Sequence, residues 1–423
     1  MPTSHQSPDH LPPGQDIPVP GTLEELLSPA WLSISLGSQF PGIKVTRVIR
    51  GPVVRRVSMN LRFRIECADG VPDGLAPHLC AKCYFTDACW PARRTGSIEA
   101  SFYRDLAART GVRTLRSRYA DVHAESGHGI VITEDVVAQG GTFLDSLSPY
   151  TPDQAADSLR QLALLHAATW CDPIAVTAPW LAPRAEARTV HRGVTEIRAN
   201  FESPDLGPGV PAEVRDAGRL HAAFRELADL TRESRPWSVV HGDAHIGNFY
   251  LDGAGRPSLL DWQLVQRGPW YLDVGYHIAS ALTVEDRRSH EDDLVHHYLD
   301  ELRAASAARG TAVTLPTPAE TRLGYRLGIL YGLYHWGITK LVDRPVTGAL
   351  LHRLGTAAAD HDAYAAVADT RSAHGRLRGR LAAHMSRMRF WAHSYQPKSA
   401  VGMSRRLSPP RPRRFAMSAS ATA

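Results

Sequence analysis

The segment from Trp237 to Tyr276 constrains the fold more than any other part of the chain. It reads WSVVHGDAHIGNFYLDGAGRPSLLDWQLVQRGPWYLDVGY, with short apolar runs separated by polar loops. Val239 and Val240 end a predicted buried strand, a polar loop follows, and the turn DGAGR separates two further short strands. The segment therefore predicts an antiparallel hairpin that is entered through a polar loop.

The register of this hairpin decides which polar side chains meet. With Asp252 to Arg256 as the turn, pairing Leu251 with Ser258 also pairs Asn248 with Asp261. Directly opposed residues share one face of a sheet, with Cβ atoms roughly 4.5 to 5.5 Å apart. The hairpin thus predicts an amide oxygen beside a carboxylate, and such hard oxygen ligands suit magnesium.

A third carboxylate, Asp243, lies in the polar loop, where it is free to take a proton from a nucleophile. The spacing His241-x-Asp243-x4-Asn248 followed by Asp261 resembles the catalytic loop and metal-binding aspartate of the protein-kinase fold. The pattern HGDxHxxN, with DWQ in place of DFG, is closer to the aminoglycoside phosphotransferase and choline kinase group, nearest its ecdysteroid-kinase-like branch. The resemblance implies that Asp243 is the catalytic base and that Asn248 and Asp261 hold Mg²⁺.

The resemblance also implies the architecture. It predicts an α+β, two-lobed protein-kinase-like fold with a small antiparallel β lobe and a larger, mainly helical lobe. Residues 1–21 are predicted to be a disordered tail and 22–136 to form the nucleotide-binding lobe. Residues 137–370 are predicted to form the catalytic and acceptor-binding lobe, and 371–423 a basic extension that is largely disordered after residue 395.

Two other interpretations fit the same loop. In the first, the carboxylates cap helices and the histidines form hydrogen bonds in the core, but four residues at kinase spacing favour catalysis. In the second, His241 and His245 bind zinc in a hydrolase, because i, i+4 spacing on a helix suits a metal. Gly242 and Gly247 disfavour a helix there, so we expect both histidines to pack within the loop.

Leu79 to Phe85 is a predicted buried strand that carries Lys82. Only four of the 48 basic residues are lysines, and an ammonium in an apolar strand suits a phosphate as a point charge but needs a carboxylate partner. The predicted helix from Ser97 to Ala108 offers Glu99. The resemblance implies that Lys82 pairs with Glu99 and contacts the nucleotide's phosphates; the alternative is an edge-strand lysine that reaches water.

Gly129 to Val136 is another predicted buried strand. Its position after the lysine strand and the helix resembles the edge strand and hinge of the kinase fold. The resemblance implies that adenine bonds to the backbone of Glu134, Asp135 and Val136. A structural role is the alternative for Asp135.

Lys44 to Ala68 alternates apolar with basic residues, which predicts two antiparallel strands with a turn near Gly51 and Pro52. In the kinase fold a phosphate-covering loop lies at this place. One glycine followed by proline is not a GxGxxG motif, so an ordinary hairpin fits equally well, and both ATP and GTP stay open as the nucleotide.

The rest of the chain is predicted to be mostly helical. Thr151 to Trp170 forms one helix with His166 as a core histidine, and Pro211 to Arg232 forms an amphipathic helix. Asp273 opens a further helix and, by the resemblance, supports the catalytic loop through hydrogen bonds. The aromatic residues of Gly324 to Asp343 are predicted to pack in the core, although by the resemblance a late helix helps to wall the acceptor pocket.

Charge and cysteine content narrow the class of protein. The net charge of +5 comes from Arg371 onward, where twelve Lys and Arg occur without Asp or Glu. Five cysteines, an odd number, suit a reducing compartment, the first residues lack a charged start and an apolar stretch, and Leu327 to Leu341 is too short to span a bilayer. We therefore expect a cytoplasmic protein without a membrane span and without a nucleic-acid partner.

Together these features predict an ATP- and Mg²⁺-dependent phosphotransferase that moves the γ-phosphoryl group to a hydroxyl of a small molecule. The alternatives are a non-catalytic nucleotide-binding kinase-like protein and a basic nucleic-acid-binding protein. Sterol-like alcohols, amino alcohols, aminoglycosides and nucleoside-type compounds all stay open as acceptors, as does the oligomeric state.

Overall fold

A five-stranded antiparallel sheet forms the centre of the first part of the chain. The computed structural model describes residues 17–86, 89 and 92–370. In chain order the strands are β1 (Val45–Arg55), β2 (Met59–Cys67), β3 (His78–Cys83), β4 (Ser117–Val122) and β5 (Gly129–Glu134). They lie in the spatial order β1-β2-β3-β5-β4, so β3 is the central strand. The helices of this part are α1 (Leu23–Leu26), α2 (Pro29–Gly37), α3 (Arg93–Asp105) and α4 (Ala107–Thr110).

The second part is mainly helical. Its helices are α5 (Pro152–Ala168), α6 (Ile174–Thr177), α7 (Ala185–His191), α8 (Val194–Phe201), α9 (Ala217–Glu233), α10 (Tyr271–Ala281), α11 (Val284–Ala308), α12 (Pro318–Gly337) and α13 (Arg344–Asp360). Its short strands are β6 (Thr142–Phe143), β7 (Ser238–Val240), β8 (Phe249–Leu251), β9 (Pro257–Leu259) and β10 (Gln266–Gly268), paired as β6-β8-β9 and β7-β10. A small antiparallel part followed by a larger helical part confirms the predicted α+β class.

The two parts have separate hydrophobic cores. Leu32 and Leu79 belong to the core of the sheet, whereas Leu162 and Tyr331 belong to the core of the helices. Phe102 of α3 packs into the helical core, so α3 connects the two parts. The predicted residue boundaries of the lobes stay predictions, and residues 1–16 and 371–423 of the predicted tail and extension lie outside the described residues. Within the part of the chain that the structure describes, no helix has the length and apolar character that a bilayer crossing requires.

Side chains alternate between the two faces of β3, the strand predicted to carry Lys82. Leu79, Ala81 and Cys83 are buried on one face, while Cys80 and Lys82 lie on the other. Cys80 and Cys83 therefore face apart, as their odd spacing on a strand requires.

The predicted turn at Gly51 and Pro52 is wrong. β1 continues through both residues, and the chain reverses at Arg56–Ser58. A register shift between Arg50 and Val53 accommodates the proline, because an edge strand tolerates a residue without an N–H at a bulge.

The hairpin of β8 and β9 exists, but its register differs from the prediction by one residue. Leu251 pairs with Pro257, one residue earlier than its predicted partner. Asn248 consequently lies opposite Leu260, whose N–H donates to the Asn248 carbonyl at 3.0 Å. The predicted direct pairing of Asn248 with Asp261 is therefore wrong.

The turn chemistry explains this shift. The Asp252 N–H donates to the Arg256 carbonyl at 3.0 Å, which closes a loop of three residues between them. Gly255 has a φ of 76° in this loop, a left-handed conformation that glycine adopts without steric cost. The prediction assumed a loop one residue longer.

The helix starts show where sequence signals were sufficient. α5 begins after Thr151, close to the predicted start, and Thr151 and Gln154 form a capping box there. α9 begins at Ala217 and not at Pro211, because the Asp216 side chain caps the helix there.

Candidate active site

The polar loop between β7 and β8 is fixed by a buried carboxylate from α10. Asp273 accepts hydrogen bonds from the backbone N–H of His241 at 2.7 Å and of Gly242 at 2.8 Å. Nε2 of the buried His166 lies 3.0 Å from the same carboxylate. The supporting contacts that the resemblance implied for Asp273 are present, and His166 is a core histidine, as predicted.

Asp243 lies in this loop with its side chain 24% exposed. The Tyr276 hydroxyl donates to its Oδ1 at 3.2 Å, and Trp336 Nε1 donates to that hydroxyl at 2.7 Å. Sequence analysis missed both aromatic residues. The signal for Tyr276 was its i+3 relation to Asp273, which puts both residues on one face of α10. These contacts orient a carboxylate that still reaches solvent.

The surroundings of Asp243 keep it ionised. Burial raises its pKa, but His245, His335, Arg188 and His241 lower it, and the pKa lies below its usual value. Burial in turn lowers the pKa of His245, and it takes that of His335 to about 3. Among the groups that lower the pKa of Asp243, Arg188 carries the permanent positive charge.

Lys82 joins the sheet to the hairpin region. Its Nζ lies 2.7 Å from Glu99 Oε2 and 3.0 Å from Asp261 Oδ1. Burial lowers the pKa of Lys82, but Asp261 and Glu99 raise it well above its usual value. The predicted contact with Glu99 is present, and the edge-strand alternative is wrong because Lys82 is 16% exposed on the central strand.

Asn248 and Asp261 offer oxygen atoms beside the loop. Asn248 Nδ2 donates to the Asp243 carbonyl at 2.8 Å, and no described residue donates to the Asn248 amide oxygen. Asp261 follows Leu260, the residue hydrogen-bonded to Asn248, and its φ of 63° turns the chain at the end of the hairpin. An amide oxygen and a carboxylate form a donor set that fits Mg²⁺.

The predicted hinge has most of its polar groups paired within the protein. The Asp135 N–H donates to the His78 carbonyl at 3.0 Å, and the Val136 carbonyl accepts from two N–H groups of the following turn. Arg118 donates to the buried Glu134 carboxylate. The Asp135 side chain accepts from a backbone N–H, which fits its structural alternative, and the adenine contacts stay predictions.

Trp262, the central residue of DWQ, joins the turn at Asp261 to α3. Its ring stacks on Phe102 with centroids 3.7 Å apart, and its Nε1 donates to Thr114 Oγ1 at 2.9 Å. Phe102 lies three residues after Glu99 on α3, so the helix that holds Lys82 also supports the turn that carries Asp261.

The two loop histidines have internal partners. His241 Nε2 lies 2.9 Å from the Leu260 carbonyl, and its Nδ1 accepts from the Asp243 N–H at 3.3 Å. His245 Nδ1 accepts from the Gly247 N–H at 3.1 Å. With both ring nitrogens of His241 engaged, this geometry disfavours zinc binding and supports the predicted packing role.

Residues 91–309, just over half of the chain, match the model of the family described as "Phosphotransferase enzyme family". The chain belongs to the phosphotransferase enzyme family. The matched range includes all of the predicted site residues except Lys82. No curated protein matches the chain in sequence.

Several solved structures of phosphotransferases are similar to this chain. Choline kinase LicA from Streptococcus pneumoniae is 14% identical, with a TM-score of 0.42 over 77% of this chain and 98% of that chain. Macrolide 2'-phosphotransferase MphH from Brachybacterium faecium is 16% identical, with a TM-score of 0.38 over 82% of this chain and 98% of that chain. Choline kinase from Cryptosporidium parvum is 12% identical, with a TM-score of 0.42 over 84% of this chain and 95% of that chain.

Family membership confirms the resemblance drawn from the loop motif. With the antiparallel sheet and the helical second part, it also confirms the protein-kinase-like fold class. Placement in the ecdysteroid-kinase-like branch stays a prediction.

Proposed function

We propose that this phosphotransferase transfers the γ-phosphoryl group of ATP to a hydroxyl of a small molecule in a Mg²⁺-dependent reaction. The observation that carries the proposal is the junction at Asp261. Its carboxylate contacts Lys82 of the sheet at 3.0 Å, and the residue before it is hydrogen-bonded to Asn248, which in turn bonds the Asp243 carbonyl. A base, oxygen ligands and a cation thus lie on connected elements.

In this proposal Asp243 accepts the proton of the acceptor hydroxyl. Its lowered pKa leaves it ionised near neutral pH, and the hydrogen bond from Tyr276 fixes the carboxylate while leaving it partly exposed. Phosphoryl transfer needs positioning and charge stabilisation more than covalent chemistry, which suits a base held this way.

The nucleotide phosphates are the proposed partners of Lys82. Its ammonium stays charged beside Glu99, and a compact charge suits phosphate oxygens that arrive from several directions. Asn248 and Asp261 would hold Mg²⁺, which supplies neutralisation of the phosphate charge when it is bound.

We also infer a cytoplasmic location. All five cysteines are within the described residues and all are free thiols, which supports a reducing compartment.

A non-catalytic nucleotide-binding protein is the second candidate. It would need the same fold and the same lysine, but it has no use for an oriented, ionised carboxylate at Asp243. The hydrogen bond from Tyr276 to that carboxylate therefore favours the enzyme.

The test combines turnover with nucleotide binding. Labelled ATP and Mg²⁺ are incubated with pooled hydroxyl compounds and with wild type, Asp243→Asn, Asp261→Asn or Asp300→Asn. Asp300 is an exposed partner of Arg303 on α11 and serves as the matched control. We expect transfer to fall on the order of 10² to 10⁴-fold in the first two variants and to stay unchanged in the control.

Binding of Mg–ADP separates the outcomes. We expect Asp243→Asn to bind it like wild type and Asp261→Asn to bind it more weakly. Nucleotide binding without any transfer by wild type would favour the non-catalytic candidate. Absence of both would contradict the two candidates together.

A further inference from the structure

Three arginines follow one another at intervals of four residues along α7. Arg184 precedes the helix, Arg188 lies within it and Arg192 follows it. Residues at i and i+4 share one face of a helix. The acidic residue of α7, Glu186, is paired elsewhere, with Arg232 at 2.9 Å. The three arginines are called the α7 arginine face below.

The α7 arginine face has no acidic partner in the part of the chain that the structure describes. No described carboxylate oxygen lies within 4.0 Å of Arg184, Arg188 or Arg192. Nε of Arg184 is also buried without a hydrogen-bond acceptor. A buried charged donor left unpaired costs about 1 to 3 kcal/mol or more, so it calls for an explanation, such as a bound ion.

A chain of hydrogen bonds links the backbone at the start of α7 to the catalytic loop. The Arg184 N–H donates to Gln266 Oε1 at 2.7 Å, and Gln266 Nε2 donates to the Tyr331 hydroxyl at 3.0 Å. That hydroxyl donates to the carbonyl of Gly242 at 2.9 Å, the residue before Asp243. The start of α7 is therefore three hydrogen bonds away from the proposed base.

Arg188 acts on groups around the same point. It is the largest influence opposing the rise that burial causes in the pKa of Tyr331 and Tyr334. It also adds to the burial that lowers the pKa of His335, whose Nε2 is buried without a partner. The arginine charge thus acts on Tyr331, whose hydroxyl donates to the Gly242 carbonyl.

We propose that Arg184 and Arg188 bind an oxyanion of the acceptor, so that the substrate is a hydroxyl compound bearing a carboxylate or a phosphate ester. The inference rests on the proposed phosphotransferase function, whose acceptor it narrows. The planar guanidinium matches both oxyanions with paired hydrogen bonds. The arginines also offset the repulsion between an anionic acceptor and Asp243.

The proposal assigns Lys82 to the nucleotide and the two arginines to the acceptor. Lys82 is already neutralised by Glu99 and Asp261, whereas no described carboxylate oxygen lies within 4.0 Å of Arg184 or Arg188.

The first arm of the test measures anion binding. The full-length protein saturated with Mg–ADP is titrated with malate, with glycerol 3-phosphate and with neutral glycerol by calorimetry. Arg184→Gln and Arg188→Gln are compared with Arg303→Gln, an exposed arginine paired with Asp300. We expect malate or glycerol 3-phosphate to bind more tightly than glycerol. Arg184→Gln and Arg188→Gln should each weaken binding of that anion by roughly tenfold or more, and the control variant should bind it like wild type. Equal binding by all proteins, or no preference over glycerol, overturns the anion site.

The second arm measures turnover with labelled ATP. Separate pools contain hydroxy carboxylates, phosphate monoesters with a free hydroxyl, the matching amides and dephosphorylated alcohols, and amino alcohols. We expect transfer mainly to one anionic pool, which identifies the oxyanion as carboxylate or phosphate. Preference for neutral or amino alcohols overturns the anion site while the phosphotransferase function stands. Transfer in no pool, with arginine-dependent binding in the first arm, supports the anion site and counts against the proposed function.

Kinetic constants then test which ligand the arginine contacts. We expect Arg188→Gln to raise the acceptor KM at least tenfold and to change the ATP KM less than twofold. A fall in kcat with an unchanged acceptor KM would assign Arg188 to the transferred group and overturn acceptor binding.

Discussion

Two buried cations of this protein are each held by two carboxylates, and the two clusters differ in how closed they are. They are Lys82 with Glu99 and Asp261, and Arg287 with Glu291 and Asp360. The first cluster joins the sheet, α3 and the end of the hairpin. The second joins α11 to the end of α13.

The Arg287 cluster is closed. Arg287 is 1% exposed, and Glu291 also accepts from the Tyr325 hydroxyl at 2.8 Å and lies 2.9 Å from His361. The Lys82 cluster has an open member, since the Asp261 side chain is 35% exposed. A closed cluster of a forked guanidinium stabilises the fold, whereas an ammonium with an open side can exchange contacts with a ligand.

The largest expected effect is on catalysis through the open cluster. Lys82→Met should lower kcat/KM for ATP on the order of 10² to 10³-fold, because the variant lacks the ammonium that is proposed to contact the ATP phosphates. Steady-state kinetics with labelled ATP measure the change. Lys340→Met, which removes an exposed lysine paired with Glu196, should leave kcat/KM unchanged. Full activity of Lys82→Met would show that the open cluster is not a ligand site.

The closed cluster should respond in stability. Arg287→Met should lower the free energy of unfolding by about 3 to 5 kcal/mol, because two partly buried carboxylates lose their cation. Urea unfolding measures this loss. The matched control is Arg288→Met, because the neighbouring Arg288 side chain is 53% exposed. This control should change the free energy of unfolding by less than about 1 kcal/mol. Loss of ATP binding at unchanged stability would reverse the assignment of the two clusters.

Acid should weaken the closed cluster in a defined range. Arg288 and Arg287 lower the pKa of Asp360 to about 2, below its value of about 3.9 in an unfolded chain. A lowered carboxyl pKa contributes stability above pH 4 that is lost as the pH falls toward 2. The pH-dependent part of the stability difference between wild type and Asp360→Asn should therefore be about 1 kcal/mol at pH 5 and vanish below pH 2. A difference that grows on acidification would contradict the ion pairing.

The smallest effect concerns the backbone that presents Asp261. Gly255→Ala should cost about 1 kcal/mol of stability, because a side chain is disfavoured at a φ of 76°. Thermal unfolding measures the loss, and transfer activity should be retained. Gly37→Ala is the control, since no neighbouring atom lies within 4 Å of the added methyl group. Equal stabilities would mean that the hairpin loop relaxes.

The sequence predicted the parts of the site whose residues lie close together in the chain. Asp243, Asn248 and Asp261 came from one loop and one hairpin, and the hairpin itself is present. The predicted register of the hairpin was wrong by one residue. The sequence alone does not tell whether the loop after Asp252 contains three residues, ending at Gly255, or four. The end of β1 was also predicted too early, because Pro52 lies at a bulge within the strand and not in a turn.

Long-range partners were harder to predict. The contact of Lys82 with Glu99 followed from the scarcity of lysine and the kinase resemblance. Tyr276 of α10 contacts Asp243, and Trp336 of α12 contacts the Tyr276 hydroxyl. Periodicity within a helix does not tell which distant loop its side chains will face.

Trp262 limits how this phosphotransferase can be turned off. Withdrawing the indole from Phe102 and Thr114 would leave a void the size of a tryptophan, at a cost of about 3 to 5 kcal/mol. A resting conformer that requires this withdrawal would hold about one molecule in a hundred or fewer. We therefore expect the concentrations of the enzyme and of its two reactants to set its rate, and an inhibitor to act by occupying the site around Asp243 and Asp261.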